Sequence, residues 1–125
     1  MRILGADFVK RYQGKILNIH PSLLPNYPGT NTHQRVLDAG EKLHGVSVHF
    51  VTEELDGGPV IAQESIAIEP IDDAQTLALK IHEKEHALYP AVVSLFADGR
   101  LSLNGNNAFL DEQLLPVTGQ RIDDL

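Results

Sequence analysis

Apolar residues recur along this chain with two different periods, and the change from one to the other separates strands from a long helix. The cleanest alternation is Gly45-Val46-Ser47-Val48-His49-Phe50-Val51-Thr52, which puts Val46, Val48, Phe50 and Thr52 on one face and Ser47, His49 and Val51 on the other. This predicts a strand over 45–52. The acid- and glycine-rich stretch Glu53-Glu54-Leu55-Asp56-Gly57-Gly58-Pro59 reads as a loop, and Val60 to Ile68 resumes a strand, so the two strands are expected as an antiparallel pair. Leu77, Ile81, Leu88, Val92 and Leu95 then follow the helical period. They predict one helix from about Ala74 to Ala97, capped by Asp72 or Asp73, closed by Asp98-Gly99 and kinked at Pro90.

The amino-terminal part is built from shorter pieces. Residues 4–13 predict a short helix packed through Leu4, Phe8 and Val9 and ended by Gly14; residues 15–20 follow as a buried strand. From Ser22 to Thr32, closely spaced Pro25, Pro28 and Gly29 predict a rigid loop. Thr30 or Asn31 then caps a helix that runs to about Ala39, with Val36 and Leu37 inward, and stops at Gly40. Leu101, Leu103, Phe109 and Leu110 predict a carboxyl-terminal hairpin followed by a frayed acidic tail.

Composition narrows the class. A hydrophobic content of 42% over 125 residues suits one globular domain with its own core. A formal charge of −7 with only ten scattered Lys and Arg disfavours a nucleic-acid surface. With no cysteine, disulfides, thiolate metal sites and cysteine nucleophiles are excluded. No apolar run approaches the ~20 residues that cross a bilayer, and the first residues lack a signal peptide's layout. The expectation is a soluble, cytoplasmic protein that acts on small molecules.

The candidate chemistry lies in Leu17-Asn18-Ile19-His20-Pro21-Ser22-Leu23-Leu24-Pro25. Strand alternation puts Asn18 and His20 on one face, and Pro21 ends the strand just after them. This is the carboxyl end of a strand, where open α/β sheets bind ligands. A carboxylate beside an imidazole fixes its tautomer and supports proton exchange, and a carboxamide can donate to an oxygen that gains negative charge. Asn18, His20 and Asp56 therefore make a set suited to acyl transfer. For each residue alone the alternative is structural: a loop cap, a satisfied interior histidine and a turn former.

The run Asn18-Ile19-His20-Pro21-Ser22-Leu23-Leu24-Pro25, then Tyr27-Pro28-Gly29, His44 to Thr52, Leu55-Asp56-Gly57-Gly58-Pro59-Val60, Glu85 to Pro90 and Phe96 to Arg100, resembles the phosphoribosylglycinamide formyltransferase family, the glycinamide ribonucleotide transformylases of purine synthesis. The resemblance implies an α/β fold with a mixed sheet flanked by helices. It implies direct formyl transfer from 10-formyltetrahydrofolate to the glycinamide amine, with no metal and no covalent enzyme intermediate. Asn18 would steady the oxyanion, His20 would handle protons, and Asp56 would orient or assist His20. Met1, Arg2, Ile3 and Leu4 would lie along the folate, with Asn18 and with Thr52, Glu53, Glu54, Leu55 and Asp56 around its pterin ring. His82 and Glu85 would touch the ribonucleotide. Spacing supports Glu85 independently, since it falls between Ile81 and Leu88 on the otherwise apolar stripe.

Family members begin with a half that holds the substrate phosphate on a glycine- and serine-containing loop, and no such loop occurs in this sequence. The chain therefore resembles the carboxyl-terminal, catalytic and folate-binding part, expected to transfer little alone. Formyltetrahydrofolate deformylase is the nearest alternative by its Leu-Asp-x-Gly-Pro region, although it usually has a second histidine where Pro21 stands. A non-catalytic folate-binding or oligomerising module is another, since an exposed sheet edge could pair with a second copy to form a homodimer. His82-Glu83-Lys84-Glu85-His86 also fits an inverted zincin pattern, which would need a third protein ligand. Methionyl-tRNA formyltransferase shares the Asn-x-His-Pro run but differs after Pro25 and after Asp56.

Overall fold

The computed structural model describes residues 5–54 and 57–121. Its elements in chain order are α1 (Ala6–Arg11), β1 (Leu17–His20), α2 (Thr32–Asp38), β2 (Leu43–Phe50), β3 (Val60–Ala67), α3 (Ala74–Ala97), β4 (Leu101–Asn104), β5 (Asn107–Leu110), β6 (Gln113–Leu114) and β7 (Gln120–Arg121). The main sheet has the order β1-β2-β3-β7; β1, β2 and β3 pair antiparallel and β7 joins β3 in parallel. A second sheet has the order β4-β5-β6. This is the mixed α/β architecture that the sequence predicts.

The main sheet has an apolar face and a polar one. Val46, Val48 and Phe50 of β2 join Ile81, Leu88, Val92 and Leu95 of α3 in one buried cluster, which the small sheet extends through Leu101 and Ala108. Burying side chains of this size contributes roughly 1.5–3 kcal/mol each. The opposite face carries Asn18, His20, Ser47 and His49, because β1 and β2 pair Asn18 with His49 and His20 with Ser47. Predicted alternation along β2 is therefore present, yet both faces are buried, and the strand begins at Leu43 and ends at Phe50.

α3 has its predicted bounds and its predicted stripe: Leu77, Ile81, Leu88, Val92 and Leu95 are all buried. Asp73 is the N-cap. Its carboxylate accepts from the Thr76 N–H at 2.8 Å, and the Thr76 hydroxyl accepts from the Asp73 N–H at 2.9 Å, a reciprocal cap worth about 1 kcal/mol. The helix runs through Pro90 as one element. The absent proline N–H leaves the His86 carbonyl without its helical donor.

Four expectations change. Phe8 is 49% exposed and stacks on Tyr12 with ring centroids 4.9 Å apart, so only Val9 of the pair turns inward; Leu4 lies outside the described residues. Asn31 occupies the N-cap of α2 with a left-handed φ of 56° and makes no side-chain cap bond. β1 is half-buried, since it has a strand neighbour on one side only among the described residues. Part of the expected tail is ordered as β7, a two-residue strand too short to show a period.

Candidate active site

Asn18 and His20 share one face of β1, as alternation requires, and β2 supplies a neighbour to each. Asn18 Nδ2 lies 3.5 Å from His49 Nε2. His49 Nδ1 lies 2.9 Å from the Phe50 carbonyl oxygen, which can only accept. The His49 proton therefore sits on Nδ1, Nε2 presents a lone pair, and the Asn18 amide turns its NH2 group toward it. His49 is 2% exposed. Sequence reasoning gave His49 no role, although it shares the polar face of its strand.

His20 is also buried, and its Nε2 donates to the Tyr27 carbonyl at 2.9 Å. That carbonyl belongs to the predicted rigid loop, whose rigidity has a hydrogen-bonded basis. The Thr32 hydroxyl donates to Pro21 O at 2.6 Å, Ser47 to Ser22 O at 2.7 Å, Gln63 Nε2 to Leu24 O at 2.7 Å and Ser22 to Asn26 O at 2.7 Å. Arg35 Nη1 donates to Pro28 O at 2.7 Å while its guanidinium lies 5.4 Å from the Tyr27 ring centre. Ser22 is thus a buried loop-forming hydroxyl engaged with Asn26.

The loop after β2 is closed at both ends. Phe50 N–H donates to Pro59 O at 3.1 Å, and Val51 N–H donates to Ile16 O at 2.9 Å, tying the loop to the entry of β1. A Cβ at Gly58 would collide with the Phe50 carbonyl, so only glycine fits where the chain turns back. Asp56 and Leu55 belong to this loop and lie outside the described residues, as do Met1, Arg2, Ile3 and Leu4. Thr52, Glu53 and Glu54 are described. With Val9, Lys10, Gln13 and Asn106 they line a cavity of about 240 Å³. A larger one, about 550 Å³, is lined by Leu24, Pro25, Pro28, Pro59 and residues 106–108 and 114–117, with Glu54 and Asn106 shared by both.

His82 and Glu85 come together on α3, with Nδ1 and Oε2 3.6 Å apart. Glu85 is half-buried, as its place beside the apolar stripe suggests. Its charge also reaches His33 of α2, whose Nδ1 is 2.9 Å from Nε2 of His44 on β2. Burial depresses the His33 pKa, which Glu85 partly offsets. Burial, then the neighbouring His33 and His20, push His44 down to about 4. The histidine pair therefore links the Glu85 end of α3 to the neighbourhood of His20. His82 and His86 approach to 2.9 Å between Nε2 atoms, and among the described residues no third His, Asp or Glu completes a group able to hold a metal.

A family model described as formyl transferase matches residues 1–93. The chain belongs to the formyl transferase family. It is 52% identical over 124 residues to the phosphoribosylglycinamide formyltransferase of Escherichia coli strain K12, covering 99% of this chain and 58% of the relative. The phosphoribosylglycinamide formyltransferase structure from Coxiella burnetii superposes with a TM-score of 0.91 at 52% identity, covering 97% of this chain and 57% of that one. A formyltetrahydrofolate deformylase from Pseudomonas syringae superposes with a TM-score of 0.82 at 27% identity, over 88% of this chain and 37% of its own. The chain thus spans a little over half the length of these transferase relatives.

Proposed function

We propose that this formyl transferase carries the catalytic and folate-binding portion of a phosphoribosylglycinamide formyltransferase, which moves a formyl group from 10-formyltetrahydrofolate to the amine of glycinamide ribonucleotide in purine synthesis. The observation that carries this reading is the E. coli transformylase's 52% identity over 99% of this chain, against 27% for the deformylase. The portion of such relatives outside the alignment would supply the phosphate-holding half.

The cavity beside Thr52, Glu53 and Glu54 offers polar walls and one apolar side chain, Val9, which suits an edge of a flat heterocycle such as a pterin. Met1 to Leu4, Leu55 and Asp56 complete that site in this reading. The donor supplies a formyl group attached to nitrogen, already activated toward amines.

Attack forms one C–N bond and transfer breaks another; the proton lost by the attacking amine must reach the departing nitrogen. While both bonds are partial, negative charge gathers on the formyl oxygen, and an N–H of Asn18 donates to it. His20, with Nε2 committed to Tyr27, carries the travelling proton through Nδ1. Asp56 assists by balancing the positive form of His20, in which Nδ1 has gained its proton, directly or through water. Joining the substrates in this geometry supplies ~7–11 kcal/mol of the barrier, so the chain without a phosphate-holding half should transfer little. His82 and Glu85 would contact the ribonucleotide.

The test follows a radiolabelled formyl group from 10-formyltetrahydrofolate with this chain fused behind the amino-terminal portion of the E. coli relative. Labelled formylglycinamide ribonucleotide is the expected product. Labelled formate released to water, independent of the amine, would instead establish a deformylase, and folate binding with neither product a non-catalytic module.

A further inference from the structure

We infer that Gln63 and Ser47 are positioning residues that set which nitrogen of His20 carries the proton, although neither is bonded to its ring. This rests on the assignment of His20 to proton handling, since only then does its tautomer matter to the reaction.

Sheet register places the three residues in one row: His20 pairs with Ser47 across β1 and β2, and Ser47 pairs with Gln63 across β2 and β3. The donors and acceptors at the middle of the row are saturated. The Ser47 hydroxyl gives its hydrogen to Ser22 O at 2.7 Å and accepts from Leu24 N–H at 3.1 Å and from Gln63 Nε2 at 3.0 Å. Gln63 spends its second N–H on Leu24 O at 2.7 Å. Ser47 is fully buried, so neither water nor an alternative rotamer replaces these bonds cheaply.

What the row holds is the backbone from Ser22 to Leu24, and that backbone fixes the far side of the loop. The Ser22 hydroxyl donates to Asn26 O at 2.7 Å, one residue before Tyr27. Tyr27 has a φ of 54°, a left-handed conformation that a bulky aromatic residue adopts only under constraint. In that conformation its carbonyl meets His20 Nε2 at 2.9 Å. A carbonyl only accepts, so His20 must be protonated at Nε2 for as long as the loop keeps its shape. If the loop relaxes, Tyr27 no longer holds the proton on Nε2, and the tautomer is left to the other contacts of the ring. Proton traffic through Nδ1 then loses its fixed partner.

Long-range 1H–15N correlation spectra of the histidine rings, recorded where the rings are neutral, read the tautomer directly. The unsubstituted chain is expected to show His20 with a protonated-type Nε2 and a lone-pair-type Nδ1. Gln63→Met keeps the side-chain length and removes both donors; its two His20 nitrogen shifts should move toward one another, while those of the His33–His44 pair hold still. Ser22→Ala, which deletes a single bond of the same loop, should move the His20 shifts the same way by less. A proton on His20 Nδ1 in the unsubstituted chain overturns the inference, as do unchanged His20 shifts in either substituted chain. Because the spectra need no turnover, tautomer control in a chain that fails the formyl-transfer test would remove the proposed function and leave the control of the His20 tautomer standing without its role in the reaction.

Discussion

Asn18 and His49 face each other across the β1–β2 ladder, with the carboxamide nitrogen 3.5 Å from a ring nitrogen whose lone pair is fixed by the other nitrogen's bond to Phe50. In the proposed transfer, an asparagine able to rotate by half a turn would present its oxygen to the reacting carbonyl as readily as its N–H. The lone pair of His49 removes that choice. In the fused, active enzyme His49→Phe keeps the ring bulk and loses the acceptor. Losing one hydrogen bond of about 1–3 kcal/mol should lower kcat roughly 5- to 150-fold with the KM for folate little changed. Steady-state kinetics decide it; a variant whose KM alone rises would make His49 a binding residue.

Acid should weaken the fold in two separate windows. His44 titrates near 4 in the folded chain against an ordinary 6.5, so between those values the unfolded chain binds more protons. Its contribution is complete above about pH 6.5 and drains away as pH falls to 4, on the order of 2–3 kcal/mol. Asp72 behaves in the carboxylate sense. The Lys80 ammonium at 2.7 Å, then the Glu69 and Thr76 donors, hold it near 2, so its stabilisation persists above pH 3.8 and is lost as pH falls through 2. Urea denaturation across pH should show the first loss shrink in His44→Phe to what the depressed His33 contributes, and the second persist there.

Gly58 makes a sharper local test of the loop that contains Asp56. Gly58→Ala forces the turn away from the Phe50 carbonyl and strains the Phe50–Pro59 bond. Overpacking of this kind costs ~1–3 kcal/mol, and, on the proposed role of Asp56, activity in the fused enzyme should fall by more than stability accounts for. Thermal unfolding and turnover measured on the same sample separate the two effects. Unchanged values in both would mean that the loop yields freely.

The core between α3 and β2 should behave conventionally. Leu88 is fully buried, and Leu88→Ala should cost ~2–5 kcal/mol in urea denaturation. Leu79, on the same helix but 65% exposed, should tolerate alanine within ~0.5 kcal/mol. Equal losses would move the buried face of the helix.

Sequence made α3 legible to the residue because a long apolar stripe and a capping aspartate agree with each other. It also placed Asn18 and His20 on one face, since strand alternation is local. Phe8 turns outward because a short helix with three apolar residues fits more than one orientation, and β7 leaves no mark in the sequence because two residues carry no period. His49, Ser47 and Gln63 were passed over for a different reason. Their roles come from cross-strand register, which joins residues distant in the chain, and no single segment reports it. The strand alternation that sets His49 and Ser47 on the face opposite Val48 is the available signal.

The claim beneath these predictions is that a carboxamide, an imidazole and a carboxylate act on one formyl group. Single-turnover transfer of labelled formyl by the fused enzyme tests it most directly, comparing Asn18→Ala, His20→Ala and Asp56→Asn under saturating substrates. The account predicts losses of ~10²–10³ for Asn18 and ~10²–10⁴ for His20, with Asp56→Asn following His20 because it acts through that ring. Transfer at the unsubstituted rate by any one of the three would contradict it.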